Sequence, residues 1–218
     1  MIELALAEGW VESELAEEFP DLHLTYAPIA ARPQPSPPEV RERLRALADR
    51  YTGAKVVHMR QDAIPWAYRV FSRQVGVDPD SDRTPVEALA VERLRHGGLR
   101  SENLVDDALT IAVAETGVPV FVLDADKLEG ELGLRLARAG EWLSERRALV
   151  ARQLVVADET RPLALLMGEV SIRAAVTAET RHMLMCALRV KGVPQIVAEE
   201  ALWLLAETLS DTAEQGVS

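Results

Sequence analysis

The 218-residue chain predicts an α+β fold built as a single domain, and three observations carry that prediction. Between residues 37 and 116, apolar side chains recur at helical spacing, with capping and stop residues at the ends of the runs. From 118 to 190 the texture changes to short alternating or continuously apolar runs separated by turn residues. No internal repeat and no flexible linker follows residue 40, so helices and strands share one core. The length suffices to bury a substantial one.

The elements follow in order. Residues 1–35 form an acidic segment and a Pro-rich connection. The stretch ARPQPSPPEV, residues 31–40, is a break that opens a helix, with Ser36 as its expected cap and Pro37 and Pro38 at its start. Val40, Leu44, Leu47 and Tyr51 follow at helical spacing, and a short apolar run covers 54–58. Ile64, Tyr68, Phe71 and Val75 mark a helix ending near Gly76. After the loop VDPDSDR (77–83), Thr84, Pro85 and Glu87 read as a capping box. Val86, Leu89, Ala90 and Leu94 supply the buried stripe, and Gly97-Gly98 the stop. A further helix covers Asn103 to Glu115, closed by Gly117. Strand candidates are 118–124, 132–138, 154–158, 163–168 and 183–190. A last helix, Gln195 to Leu209, presents Val197, Ala201, Leu204, Leu205 and Thr208 on one face.

Composition narrows the function. The chain carries 24 Lys+Arg against 35 Asp+Glu, a net charge of −11, with 48% hydrophobic and 27% charged residues, which excludes a mainly disordered chain. One cysteine excludes a disulfide framework and a multi-cysteine zinc site. No apolar run reaches membrane-spanning length, and the acidic start MIELALAEGWVESELAEEF lacks a signal peptide's basic region. A cytoplasmic, soluble protein without a membrane partner is expected. The acidity is uneven: seven acids and no cation precede Arg32, leaving 28 acids against 24 bases in the rest. The totals argue against an extensive, sequence-independent nucleic-acid interface, yet leave room for local contacts. Of the 24 cations, 21 are arginine, suited to bidentate binding of carboxylate or phosphate, though genome composition or thermal adaptation explains the bias equally.

Motifs for known chemistries are missing from the sequence. There is no Gly-rich phosphate loop and no GxSxG nucleophile elbow. His23, His58, His96 and His182 stand apart, without zinc-ligand spacing. Asp78, Asp80 and Asp82 imitate part of a calcium loop, but its sixth and twelfth positions hold Arg83 and Leu89. No metal and no cofactor is expected. Cys186, in MLMCALRV, reads as a buried small hydrophobe in a strand.

Residues 101–128, SENLVDDALTIAVAETGVPVFVLDADKL, carry Ser101, Val105, Asp106, Gly117, Pro119, Asp124, Asp126, Lys127 and Leu128 in a recurrent order. Upstream stand Ala67, Tyr68, Arg69 and Phe71, then Arg83, Glu87, Ala88 and Leu89. Downstream come the apolar run Leu163 to Gly168 and the Thr-x-x-Thr of Thr177 to Thr180. This constellation resembles the B3/B4 module of the phenylalanyl-tRNA synthetase β subunit, and especially its free-standing relatives, over about residues 60–190. The resemblance implies mixed sheets flanked by helices, with a sheet-built pocket. In the synthetase that pocket hydrolyses phenylalanine-specific tRNA mischarged with tyrosine, using polar side chains that recognise the extra hydroxyl and a positioned water. An unpaired buried polar group costs about 1–3 kcal/mol, which is how such a site discriminates.

Four positions depart from that pattern. The family's Thr-Asn pair falls on Ala108 and Leu109, its histidine on Phe121, and its glutamate on Cys186. The resemblance therefore implies a tRNA- or RNA-binding protein, an aminoacyl-tRNA deacylase if it is an enzyme at all, with an altered and more apolar pocket. The candidate binding residues are Arg69, Arg83, Glu87, Asn103, Asp106 and Cys186, with no catalytic residue assigned. Arg69 with Glu87 reads equally as an ion pair, and Asn103 and Asp106 as helix-end electrostatics. A non-catalytic module for an amino-acid-like small molecule is the second expectation, favoured by the acidity and the lost polar groups. A protein-interaction role for the acidic segment is a third.

Overall fold

The acidic N-terminal segment, to which the sequence pattern assigns no elements, threads through both four-stranded sheets of the fold. The computed structural model describes residues 3–210. In it the segment forms β1 (Ala7–Glu8), β2 (Trp10–Val11), the short helix α1 (Ser13–Glu18) and β3 (His23–Ala30). Its carboxylates secure it: Glu8 accepts from His23 Nδ1 at 2.9 Å, Glu12 from the Leu136 N–H at 3.1 Å, and Glu14 pairs with Arg152 at 2.6 Å. The chain passes from one sheet to the other at Gly9, where a Cβ would stand 2.9 Å from the Leu132 carbonyl oxygen. Only glycine permits that approach.

Helices α2 (Pro38–Arg50), α3 (Gly53–His58), α4 (Ala63–Gln74), α5 (Pro85–His96) and α6 (Leu104–Thr116) follow. Ser36 does not cap α2. Pro37 occupies the cap position, and the buried Ser36 hydroxyl instead donates to Asp107 Oδ2 on α6 at 2.6 Å, tying the Pro-rich break to a distant helix. The capping box of α5 forms as the sequence predicts: both the Thr84 hydroxyl and its N–H donate to Glu87 Oε2. Gly97 and Gly117 end α5 and α6 with φ of +73°, in the left-handed region open to glycine.

The remaining elements are β4 (Val120–Asp124), β5 (Gly133–Leu136), the hairpin β6 (Trp142–Ser144) and β7 (Arg147–Ala148), β8 (Leu154–Ala157), β9 (Pro162–Leu165), β10 (His182–Arg189) and α7 (Gln195–Ser210). The first sheet runs β1-β3-β10-β4 and is antiparallel. The second runs β2-β5-β8-β9, with β2 parallel to β5 and the other pairs antiparallel. The fold is thus α+β with mixed sheets, and α7 packs between α6 and the β10–β3 face. Tyr68 on α4 joins helix to sheet: its buried hydroxyl donates to the Leu188 carbonyl at 2.6 Å, and burial pushes its pKa well above the ordinary tyrosine value.

The strand candidates 118–124, 154–158 and 183–190 coincide closely with β4, β8 and β10, while 132–138 and 163–168 shrink to β5 and β9. The hairpin β6–β7 and all of β3 lie outside the sequence-based reading. β3 contains Pro28, ordinarily a mark against a strand. Pro28 is tolerated because β1 covers only Thr25 and Tyr26, leaving no neighbour on that side to miss its N–H.

Candidate functional site

Two of the four positions where the resembling enzyme keeps polar side chains meet in the middle of the first sheet, and the other two, Ala108 and Leu109, lie on α6. Phe121 on β4 lies directly opposite Cys186 on β10, which in turn lies opposite Tyr26 on β3. Phe121 is 2% exposed, Cys186 0% and Ala108 0%, with Leu109 packed at the edge of the same core. Burial drives the Cys186 thiol far above its ordinary pKa, so the group stays a neutral thiol whose nearest polar contact is the Leu184 carbonyl at 3.7 Å. Phe121 and Cys186 fill their part of the row by apolar packing, and the half-buried Tyr26 phenol beside them is the polar side chain of the row.

Arg69 and Glu87 come together beneath the 77–83 loop. Arg69, 4% exposed, donates to Glu87 Oε1 at 2.9 Å, to Asp80 Oδ1 at 2.6 Å and to the Pro79 carbonyl at 3.2 Å. Arg60 also reaches Glu87 and Asp80, at 3.3 and 3.2 Å. Burial alone would lower the Arg69 pKa; the bond to Asp80 and the charge of Glu87 outweigh it and hold it above the usual value. The bond from Arg69 likewise keeps the Asp80 carboxyl below its usual range. Asp80, which the calcium-like spacing placed in a solvated loop, is therefore the loop's anchor.

At the start of α6, the Asn103 side chain accepts from the Val105 and Asp106 N–H groups and donates to Asp106. The residue that organises this corner is its neighbour. Asp107, 1% exposed, accepts from Ser36, Ser101 and the Glu102 N–H. Sequence spacing had singled out Asp106, which lies on the exposed side.

The Asp-x-Asp-Lys-Leu and Thr-x-x-Thr segments close on one another. Asp124, 4% exposed, accepts from Thr180 Oγ1 at 2.6 Å, from Lys127 at 3.0 Å and from the Asp126 N–H at 3.2 Å. Burial opposes its charge, but the bonds from Thr180 and Lys127 prevail and hold the carboxyl below the usual carboxylate range. The stability this contributes is therefore present above the unfolded-state value of about 3.9 and lost as pH falls through the lower folded value. Asp124→Asn is expected to lose about 1.5–3 kcal/mol at neutral pH, a deficit that shrinks on acidification. Urea denaturation at pH 7 and at pH 3 checks this, and an equal deficit at both would contradict it.

A roomy opening lies elsewhere: a groove of about 580 Å³ between α4–α5 and the β8–β9 strands. Its floor is apolar, formed by Val75, Leu154, Leu165 and Leu166. Its rim is charged. Ala88, Val91, Glu92 and Arg95 form the face of α5 opposite the buried Val86 and Ala90, at the i, i+3, i+4, i+7 spacing of one helical stripe. Asp82 and Arg83 complete one wall, and Arg147 and Glu169, 3.8 Å apart, the other. The acidic segment enters this sheet through β2 at the opposite edge from β9, three strand spacings or about 14 Å away.

Of the residues singled out from sequence, Arg83 lines the groove, and Asp106 lines a smaller cavity of about 80 Å³ that shares Glu92 with it. Arg69 and Glu87 stand behind the Arg83 wall, Asn103 caps α6, and Cys186 lies in the core. Arg95 and Glu92 escaped sequence reasoning, and Asp82 entered it only as part of a calcium-loop imitation. The exposed stripe of α5 could have disclosed the first two, had the polar face been read as closely as the apolar one.

Comparison with known proteins agrees with this architecture. Residues 67–213 match the family model described as the B3/4 domain. The chain is 38% identical over 114 residues to the phenylalanine–tRNA ligase beta subunit of Xanthomonas euvesicatoria pv. vesicatoria, covering 50% of this chain and 14% of that protein. Against the same subunit of Legionella pneumophila it is 35% identical over 98 residues, 42% of this chain and 12% of the relative. Against that of Leifsonia xyli subsp. xyli it is 36% identical over 121 residues, 53% and 14%. The chain thus spans about one seventh or less of the length of these relatives. With two thirds of its residues matched and the motif positions joined in one fold, the chain belongs to the B3/4 domain family.

Proposed function

We propose that this chain binds tRNA through local, arginine-mediated contacts and seats the acceptor end in the groove beside α5. The observation that carries the reading is a division within the molecule. The motif residues build the scaffold through the Asp124–Thr180 and Arg69–Glu87 contacts, while Phe121 and Cys186 close the polar recognition row. A ligand must then be met elsewhere, and the groove with Arg83 at its wall is the roomy place. Asp106 borders its neighbouring cavity, Asn103 caps the helix that carries Asp106, and Arg69 and Glu87 support the groove wall. If the chain also cleaves an aminoacyl ester, it does so at this groove, in the manner of a free-standing deacylase working in the cytoplasm.

The groove's size and mixed rim favour a second reading, a binding module for an amino-acid-like small molecule. The test is a panel of correctly and wrongly charged tRNAs, scored for binding at low salt and for deacylation. Micromolar binding that falls with salt, and falls further in Arg83→Ala, is expected. Absence of both binding and deacylation would leave the small-molecule reading alone standing.

A further inference from the structure

Away from the groove, a cleft of about 130 Å³ opens between the turn that follows α1 and the C-terminal half of α4. Phe19, Leu22, Phe71 and Val190 give it an apolar lining, and the Phe19 and Phe71 rings meet edge to face with centroids 5.4 Å apart. An apolar cavity of about 150 Å³ admits benzene, so the cleft takes one aromatic or branched side chain. Gln74 of α4 also lines it. From there one stripe of the helix runs back through Val70 to Trp66, each four residues from the next and so neighbours on one face. Both are exposed, Trp66 by 50% and Val70 by 36%. Cleft and stripe together make a single apolar strip that follows α4 for about 12 Å.

The charges beside the strip are mostly negative. Glu8, Glu12 and Glu14 are engaged within the fold. Glu17, Glu18 and Asp21 are exposed and, among the described residues, form no ion pair. Glu18 and Asp21 line the cleft itself, with Lys191 as the cation among its lining residues. Arg73 is committed elsewhere on the strip, over the Trp66 ring at 6.0 Å and 3.9 Å from Asp80. A nucleic-acid backbone would bring its phosphates against the three carboxylates. A second copy of this chain, meeting the strip with its own, would set the same carboxylates against each other. We infer that the strip is a docking surface for a basic amphipathic segment of another protein. One large apolar side chain of that segment fills the cleft, and a second lies on Val70 and Trp66. Its lysines or arginines face Glu17, Glu18 and Asp21. The surface is separate from the groove beside α5 and does not depend on what the groove binds.

Selection from a displayed library of random peptides against the full chain tests it, with the strongest binders resynthesised and titrated by calorimetry. The recovered peptides are expected to carry net positive charge and large apolar residues spaced by one or two helical turns. Trp66→Ala and Val70→Ser should each weaken them at least roughly fivefold, the factor that a contact worth about 1 kcal/mol represents. Glu18→Lys combined with Asp21→Lys should weaken them at least about tenfold and flatten the dependence of affinity on salt. All four positions are exposed, so the variants should fold, with circular dichroism and an unchanged melting temperature confirming it. Binders without net positive charge, binders indifferent to these variants, or no enriched binder at all would each overturn the inference. Binders weakened only in Arg83→Ala would sit in the groove instead and overturn it equally. Transfer RNA that displaces the peptides and is itself weakened in Trp66→Ala would make the strip a nucleic-acid surface, and the docking assignment falls. Transfer RNA binding that survives Trp66→Ala and Val70→Ser while the peptides are lost supports two separate surfaces.

Discussion

Arg69→Ala should lower the stability of the chain by about 3–5 kcal/mol, the cost of leaving a buried charge without its partner. Arg69 and Glu87 are 4% and 3% exposed and 2.9 Å apart, so removing the guanidinium strands the Glu87 carboxylate where water cannot reach it. Arg60, at 3.3 Å on the exposed side, offsets part of that loss. For a chain of this size the melting temperature should fall by roughly 10 °C. The same truncation frees the Pro79 carbonyl and the Asp80 carboxylate, and with them the loop that carries Asp82 and Arg83 into the groove. Ligand affinity should therefore fall as well, at temperatures where the variant is still folded. Replacing both members, as Arg69→Met with Glu87→Leu, should recover the part of the loss that comes from the stranded charge but not the affinity, because an apolar pair fills the space, holds no loop and leaves the Thr84 donors without their acceptor. Urea denaturation of the two single variants and the double variant gives the coupling between them. A coupling near zero would contradict a buried, mutually dependent pair.

Cys186→Glu, which puts back the carboxylate the resembling enzyme keeps at this position, should cost a comparable amount. The extra atoms overpack a site that is 0% exposed, at about 1–3 kcal/mol. Where the Tyr26 phenol opposite does not donate to it, the carboxyl is unpaired, at a further 1–3 kcal/mol or so. Burial raises the folded-state pKa of such a group above the unfolded value of about 4.3. The penalty is then smallest below that value and grows as pH rises towards the folded one. Phe121→His in the same molecule places an imidazole directly across the strand pair, and the two changes should couple favourably by about 0.5–3 kcal/mol. Denaturation at pH 4 and pH 7 across the four-member cycle measures both effects. Strict additivity would show that the row is not a single site, and with it that the polar pair of the relatives has no counterpart in this fold.

The helices were legible because their signals are local. The Thr84–Glu87 capping box, Gly97 and Gly117 act within a turn of their own residues, and each forms as read. β3 was not legible, since its strand character comes from a 160-residue-distant partner, β10, that shelters Leu24 and Ala27, while Pro28 and the surrounding acids speak against it. The acidity itself changes meaning for the same reason. Counted along the chain it looks like a separable tail, but Glu8, Glu12 and Glu14 are engaged with His23, the Leu136 N–H and Arg152. These three charges therefore belong to the folded body, at the edges of its two four-stranded sheets.

The candidate site divides in a similar way. Arg83 was marked by its place beside a capped helix, and it lines the groove. Asp106 was marked by the Val-Asp motif of the resemblance, and only the packing of Ser36 and Ser101 shows that its neighbour Asp107 is the buried one. By itself the sequence determined the α+β class and the family, because capping, periodicity and residue identity are properties of a chain. Which charges are neutralised in pairs, and which are left facing an empty groove, was decided by the tertiary structure. An ion pair depends on distance and burial, and both are set by elements far apart in sequence.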